Sequence, residues 1–419
     1  MKQIQISNAE LRAAVTAEVP RAIELLKALV ARPSLRGGER EAQELMATTM
    51  AELGFEVERL PIPDSIGDDE LAGVPALSYE GRFDVLGKMP HDGGRSLLLN
   101  GHIDVVPAND ATWSSDPFVP IVRDGWLYGR GAGDMKGGFS MAVLALRALR
   151  RLGASAGQRN LSFLSVIEEE CTGNGTLAAV RAGVSADAVV LPEPTDLKIL
   201  LGGVAITWVR IIIRFGGGHA ERSDRIVAPA QVVATLIGYF ERLEDEYNKD
   251  VKPPFDTITR PFNVNVGVVR VGEWPSSVAA VAEMEVRVGH PDDVSDEQVR
   301  ERVHDFVADA MHEAGNPEFE VSLHGFKTQS YHLATENQLV QEVIGAHLDL
   351  HGESPVSALL GSTTDARYYV NQLGVPALCF GPVVKNMHGS NECVELASIE
   401  LGALTLARFL LNYFNEGGS

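Results

Sequence analysis

The sequence predicts an α/β protein: a mostly parallel sheet with helices on both faces, interrupted by an inserted α+β unit of β-α-β-β-α-β order. Three observations predict it. Short runs such as "SLLLNGHIDVVP", "NLSFLSVIEEE" and "DAVVLPEPT" are continuously apolar, as strands buried on both faces are. Helical periods alternate with them, which implies parallel strands joined by crossovers. Near residue 203 the pattern changes to longer strands grouped around two helices. With 419 residues the chain is too long for one ordinary core. The expected organisation is therefore 1–203 and 326–419 as two parts of one domain, with 204–325 inserted as a second.

Each element follows from its pattern. "AAVTAEVPRAIELLKALVARPS" has apolar residues at three- and four-residue spacing, with Pro33 as a stop. "GEREAQELMATTMAELGF" is a second helix, ended by Gly54, and "EVERLPI" alternates like a strand. Residues 62–95, rich in Asp, Gly and Pro, read as a loop. "SLLLNGHIDVVP" is a strand, and "GGFSMAVLALRALRRLG" is a helix opened by glycines. "NLSFLSVIEEE" and "DAVVLPEPT" are strands with the helix "GTLAAVRAG" between them. In the insert come the strand "ITWVRIIIRF", the helix "VAPAQVVATLIGYFERLEDEY" and the strands "FNVNVGVVRVG" and "SVAAVAEMEVRVGH". The helix "SDEQVRERVHDFVADAMHEAG" and the strand "EFEVSLHGF" complete it. The helix "ENQLVQEVIGAHLDLHG", the strand "GVPALCFGP" and the helix "SIELGALTLARFLLNYF" then resume the first domain.

Composition excludes several roles. A formal net charge of −21 repels nucleic acid and anionic membranes. The three cysteines, Cys171, Cys379 and Cys393, form no CxxC pair, against a disulfide scaffold or thiolate zinc site. No apolar run reaches membrane-spanning length, and the charged start of the chain is not a signal peptide. A reducing, cytoplasmic location is the expectation.

Charged residues become informative where strands stop, because open α/β sheets bind ligands there. His102 and Asp104 end one strand, two apart and so on one face; an incidental histidine in a capped loop is the alternative. Asp134 lies amid glycines in "YGRGAGDMKGG", where phosphate cradling is disfavoured by the carboxylate itself. Glu168, Glu169 and Glu170 end an apolar strand and repel one another unless a cation compensates; a solvated turn is the alternative. Glu193 ends another strand between two prolines, and His388 follows "ALCFGP" in the polar loop "KNMHGSNECVE". Two imidazoles with three carboxylates, His102, Asp134, Glu170, Glu193 and His388, suit two metals better than one zinc. Glu169, beside a ligand, is then positioned as a general base. Cys171 adjoins the glutamates, whose charge blunts a thiol nucleophile.

The motifs "GHIDVVP", "GRGAGDMKGG", "EEECTGNGT", "PEPT" and "MHGSNE", in that order, resemble a metallopeptidase family. It holds acetylornithine deacetylase, succinyl-diaminopimelate desuccinylase, glutamate carboxypeptidase and aminoacylase. The resemblance spans nearly the whole chain. It implies a catalytic domain with an inserted lid and dimerisation domain, and two divalent ions, zinc first and cobalt or manganese as alternatives. It implies that His102, Asp134 and Glu193 hold one ion, and that Asp134, Glu170 and His388 hold the other, with Asp134 as the bridge. Asp104 would orient His102 and Glu169 would be the base. His219 in "RFGGGHAE" matches a histidine that reaches a partner subunit's site to polarise the scissile carbonyl. Arg367 in "GSTTDARYY", and more weakly Arg287 in "MEVRVGH", match positions that meet a substrate carboxylate; a structural ion pair is the alternative for both. The chain departs from the family at Glu168, where aspartate is usual, and in the charged stretch of Glu221, Arg222 and Arg225, read as surface.

The activity implied is metal-dependent hydrolysis of the amide of a small N-acyl amino acid, a deacylase reaction like that of acetylornithine deacetylase. The alternatives are a dipeptidase or carboxypeptidase, an N-carbamoyl amidohydrolase, or an amine-releasing hydrolase of another small molecule. A binding protein that lost activity is disfavoured by the intact Glu169 and ligand set. A homodimer through the lid is expected, because "ITWVRIIIRF" read as an outer strand would be an exposed apolar edge.

Overall fold

The computed structural model describes residues 6–90, 93–108, 110–154, 160–221 and 228–416. Arg222 and Arg225 lie outside the described residues.

The larger core is built on a nine-stranded sheet. In spatial order its strands are Glu56–Pro61, Phe83–Lys88, Leu161–Val166, Leu97–His102, Ala188–Leu191, Ala377–Cys379, Ile199–Gly203 and Tyr331–His332. Ser357–Leu360 pairs with Ile199–Gly203 in parallel. The four strands from Leu161–Val166 to Ala377–Cys379 are mutually parallel, and antiparallel pairings lie outside them. Successive residues of a strand face opposite sides. Asn100 accordingly donates to Thr176 on the helix Asn174–Arg181, while its neighbour Gly101 lies bare beneath Met135 and Phe139. Helices thus cover both faces. On the Gly101 side, Asn8–Val30, Gly137–Arg151 and Leu396–Glu416 pack on one another.

The first helix begins earlier than its apolar period suggests, at Asn8, because Ser7 and Glu10 form a reciprocal capping box. The reading of residues 62–95 as loop needs correction. Phe83–Lys88 is a strand, buried along most of its length, second from one edge of the sheet. Its Asp84 and Gly87 disguise it in the sequence: the helix Arg40–Leu53 covers it, and Phe55 fills the space over Gly87.

The insert forms its own four-stranded antiparallel sheet, in the order Val264–Val271, Val281–His290, Ala205–Arg214, Glu318–Lys327. The helices Pro229–Tyr247 and Asp296–Glu313 complete the β-α-β-β-α-β sequence. Ile206, Val209, Ile211 and Ile213 point into a second, separate core. This overturns the placement of "ITWVRIIIRF" at an edge. That strand is flanked on both sides, by Val281–His290 and by Glu318–Lys327, so its apolar length answers to burial within its own sheet. The chain leaves the large sheet at Gly203 and returns at Tyr331, and these two residues are antiparallel partners. Two further contacts join the units. Val74 and Gly325 exchange backbone hydrogen bonds of 2.8 and 3.0 Å. Arg287 donates to the carbonyls of Asn263 and Gly361 and to the Ser362 hydroxyl.

A small sheet that the sequence did not announce pairs Val384–Lys385, Cys393–Glu395, Trp126–Tyr128 and Ile121–Arg123. It brings the loop containing His388 against the loop containing Asp134.

Candidate metal centre

Three parallel neighbours deliver their carboxyl ends to one place. Leu97–His102 ends on His102, Leu161–Val166 runs on into Glu168–Glu170, and Ala188–Leu191 runs on into Glu193. Leu97, Leu98 and Leu99 are wholly buried, so the strand that carries His102 is anchored on both faces. Asp134 arrives from the glycine-rich turn before the helix Gly137–Arg151, and His388 from the loop after Val384–Lys385.

Asp134 is the common element. His102 Nε2 is 3.1 Å from its Oδ1, and His388 Nε2 is 3.3 Å from its Oδ2. His388 Nε2 also lies 3.1 Å from Glu170, and His102 Nε2 lies 3.7 Å from Glu193. The ligand atoms of His102, Asp134 and Glu170 all fall within 4.8 Å of one another. Glu169 stands beside them, its Oε2 at 4.0 Å from His102 Nε2. His102, Glu169 and Glu193 are buried, whereas the His388 side chain is half exposed.

Asp104 meets His102 mainly through its main chain. His102 Nδ1 meets the Asp104 backbone carbonyl at 3.0 Å, with the carboxylate farther off at 3.7 Å. The carboxylate instead accepts the backbone N–H groups of Glu169 and Glu170 at 3.2 and 3.1 Å. It therefore holds the peptide from which both glutamates project. Glu168 points away from the cluster. Tyr79, Thr172 and Arg82 bind its carboxylate, and Arg82 also binds Glu39.

The electrostatics reflect crowded carboxylates in a dry site. Burial, against the pull of His102, pushes Glu193 up to about 8, and burial also drives Glu169 well above the carboxylate range. Burial acts on Asp134 in the same direction, yet hydrogen bonds from His102 and His388 overcome it and hold Asp134 low. Glu170 is the main cause that raises His388 to about 11. Burial opposes charge on His102, but Glu193, Asp134 and Glu169 together lift it well above the usual imidazole value. The imidazoles of His102 and His388 face a nest of carboxylates. Glu193 Oε1 is buried with no hydrogen-bond partner among the described residues. An unsatisfied oxygen on a carboxylate that stands beside the His102 imidazole fits a divalent cation.

The remaining predicted residues form no hydrogen bond or ion pair with the cluster among the described residues. His219 is exposed, in the short strand Gly218–His219 paired with Ser277–Val278, and accepts from the Glu221 N–H. Among the described residues no hydrogen bond or ion pair joins it to the cluster. Arg367 is 3% exposed, 3.3 Å from Asp365 and bonded to the Tyr368 hydroxyl. Arg287 meets only carbonyls and a hydroxyl, with no ion-pair partner among the described residues. Cys171 is buried, and burial and the adjacent Glu168 raise its thiol pKa. Sequence reasoning missed Glu392 and Arg130, a buried ion pair beneath Asp134. Both stand in stretches singled out for other residues: a lone arginine among glycines, and a glutamate four places after His388.

Comparison with known proteins identifies the family and the fold. The model of peptidase family M20/M25/M40 matches residues 98–412. Human carnosine dipeptidase 1 superposes with a TM-score of 0.81 at 16% identity, covering 98% of this chain and 100% of that one. The dipeptidase Dug1p of Saccharomyces cerevisiae gives 0.82 at 14% identity, covering 99% of each chain. A dinuclear metal-binding peptidase of Bacillus subtilis gives 0.60 at 14% identity, covering 96% of this chain and 99% of that one. Among the described residues no helix is long and apolar enough to cross a membrane. A match over most of the chain, on a fold whose strand ends gather two histidines and a nest of carboxylates, leads to one conclusion: the chain belongs to peptidase family M20/M25/M40, metallo-hydrolases of amide and peptide bonds.

Proposed function

We propose that the protein hydrolyses the amide bond of a small N-acyl amino acid at a two-metal centre. The convergence of His102, Asp134, Glu170, Glu193 and His388 on one point, with Glu169 beside them, carries this reading. His102, Asp134 and Glu193 would hold one divalent ion, and Asp134, Glu170 and His388 the other. Zinc is the first candidate, with cobalt and manganese as alternatives. Such a pair, when bound, supplies an acidified water and polarises the substrate carbonyl.

The chain's own groups do the rest. Glu169 takes the proton of the attacking water on its carboxylate and returns it to the leaving amine. Burial favours the protonated form of Glu169, which suits the second of these tasks. Asp104 keeps Glu169 in place through the Glu169 and Glu170 N–H groups. Arg287, a half-buried guanidinium with no acidic partner among the described residues, suits a substrate carboxylate; Arg367, already beside Asp365, suits it less well. The exposure of His219 on the lid is consistent with service to a second chain in a homodimer.

A second reading, dipeptidase, is favoured by the near-complete superposition on two dipeptidases. One experiment separates the two. Metal content and turnover are measured on chelated and re-metallated protein against panels of N-acyl amino acids and dipeptides. Recovery with about two ions per chain on an N-acyl amino acid supports the first reading. Recovery on dipeptides alone selects the second, and turnover that survives complete chelation overturns both.

A further inference from the structure

Asp134 and His388 come from loops far apart in sequence, yet each must stand within reach of the other's partner. One buried ion pair fixes both loops. The Glu392 carboxylate is wholly buried, and its Oε1 accepts two consecutive backbone N–H groups, those of Gly133 at 2.8 Å and Asp134 at 3.0 Å. Its other oxygen pairs with Arg130. Arg130 is 2% exposed, lies 5.4 Å over the Trp113 ring, and donates from Nη2 to the carbonyls of Pro107 and His388.

We propose that Glu392 and Arg130 are a positioning pair that sets Asp134 against His388, and with them the second cation position. This inference rests on the metal reading above. The pair touches main chain on both sides: the N–H of Asp134 and the carbonyl of His388. It thus fixes where each side chain starts, and leaves the carboxylate and imidazole free for a ligand. Through Pro107 it also reaches the segment that follows His102. Two local features fit this role. A Cβ on Gly133 would lie 3.2 Å from Glu392 Oε1, so the bare glycine admits the carboxylate. His388 holds φ at +59°, a conformation uncommon for a residue with a side chain, which needs outside contacts to persist. An apolar pair of equal size would fill the space but satisfy none of these backbone groups. The forked guanidinium reaches the carboxylate from one nitrogen and the two carbonyls from another, whereas a lysine has only one nitrogen to place.

The test uses the full-length protein and the metal alone. Wild type, E392Q and R130K are titrated with Zn²⁺ or Co²⁺ in competition with a chromophoric chelator. Melting of each chelated protein is recorded beside the titration. E392Q keeps a carbonyl for the two N–H groups and loses the charge facing Arg130; R130K keeps the charge and loses the fork. The expected result is the site that contains His388 weakened about 10- to 100-fold and the other site, which shares only Asp134 with it, weakened less, with the chelated proteins still folded. H388A should weaken the same site, which identifies it. Unchanged affinities in folded variants overturn the proposal. So does equal weakening of both sites, or loss of folding in both chelated variants, since the pair would then serve the fold alone. A wild type that binds no divalent ion overturns the metal reading first, and this inference with it.

Discussion

The substitution Gly138→Ala tests how the Glu193 peptide is held. A Cβ at Gly138, in the first turn of Gly137–Arg151, would lie 1.7 Å from the Pro192 carbonyl oxygen and 2.8 Å from its carbon. Ordinary contact begins near 3.4 Å, so the peptide must retreat by more than an ångström. Room around the segment is already tight, because a Cβ on Gly381 would lie only 2.0 Å from the Glu193 carbonyl oxygen and 2.9 Å from that of Pro192. Two bare Cα atoms thus grip the Pro192–Glu193 segment. Overpacking of this kind costs about 3 kcal/mol, from which the better helix propensity of alanine returns about 1 kcal/mol. A net loss of about 2 kcal/mol lowers the melting temperature by about 3 °C for a unit of this size. Activity should suffer more, because Glu193 is 3.7 Å from His102 and moves with its backbone. A displacement of about 1 Å in such a site lowers kcat/KM by about 100-fold. Gly345→Ala is the control: it lies inside the helix Gln338–His351 with nothing within 4 Å of the new methyl, and should stabilise by about 1 kcal/mol. Thermal melts, metal titration and kinetics on both variants make the assay. Wild-type melting and metal affinity in G138A would refute the packing argument.

Three further outcomes are expected. E169Q should lower kcat by about 10²- to 10⁴-fold while metal stoichiometry is unchanged; undiminished turnover would remove Glu169 from the mechanism. R82M strands two buried carboxylates, Glu39 and Glu168, and should cost about 3–5 kcal/mol in denaturant melts. The control R59M, which breaks an exposed pair with Glu44, should cost about 0–1 kcal/mol; equal losses would contradict this difference in burial. His347 and His351 lie 4.3 Å apart between helices, and burial lowers both, His351 to about 4. The folded state then binds fewer protons than the unfolded chain, so stability is full above the ordinary imidazole value and is lost as pH falls through about 6.5 towards 4. H351Q should flatten that acid-side decline, and an identical pH profile would show that another group causes it.

The sequence revealed elements whose signal is local, and it missed what depends on neighbours. Gly101, His102 and the strand before them were legible because a continuously apolar run needs no knowledge of its partners. Phe83–Lys88 was hidden because Asp84 is polar by composition. Its carboxyl group finds the Ile167 N–H only once two strands meet. The interior position of Ala205–Arg214 was hidden for a related reason. Alternation tells which face of a strand is buried, and says nothing about who sits on either edge. Asp104 was found by its spacing from His102, yet its carboxylate serves a peptide 65 residues on. Arg130 and Glu392 carried no periodic signal at all, since an ion pair 262 residues apart exists only in the fold.

From the viewpoint of the large sheet, the whole insert is the loop of a hairpin, because Gly203 and Tyr331 are paired neighbours. Its two points of attachment therefore lie within one strand spacing of each other, as the two leaves of a door hinge do. A rigid swing about that axis needs torsion changes at only two adjacent places. The fork of Arg287 holds Gly361 and Ser362 close beside that axis, where the Ser362 carbonyl accepts the Val204 N–H, and the Val74–Gly325 exchange adds a second tie between the two units.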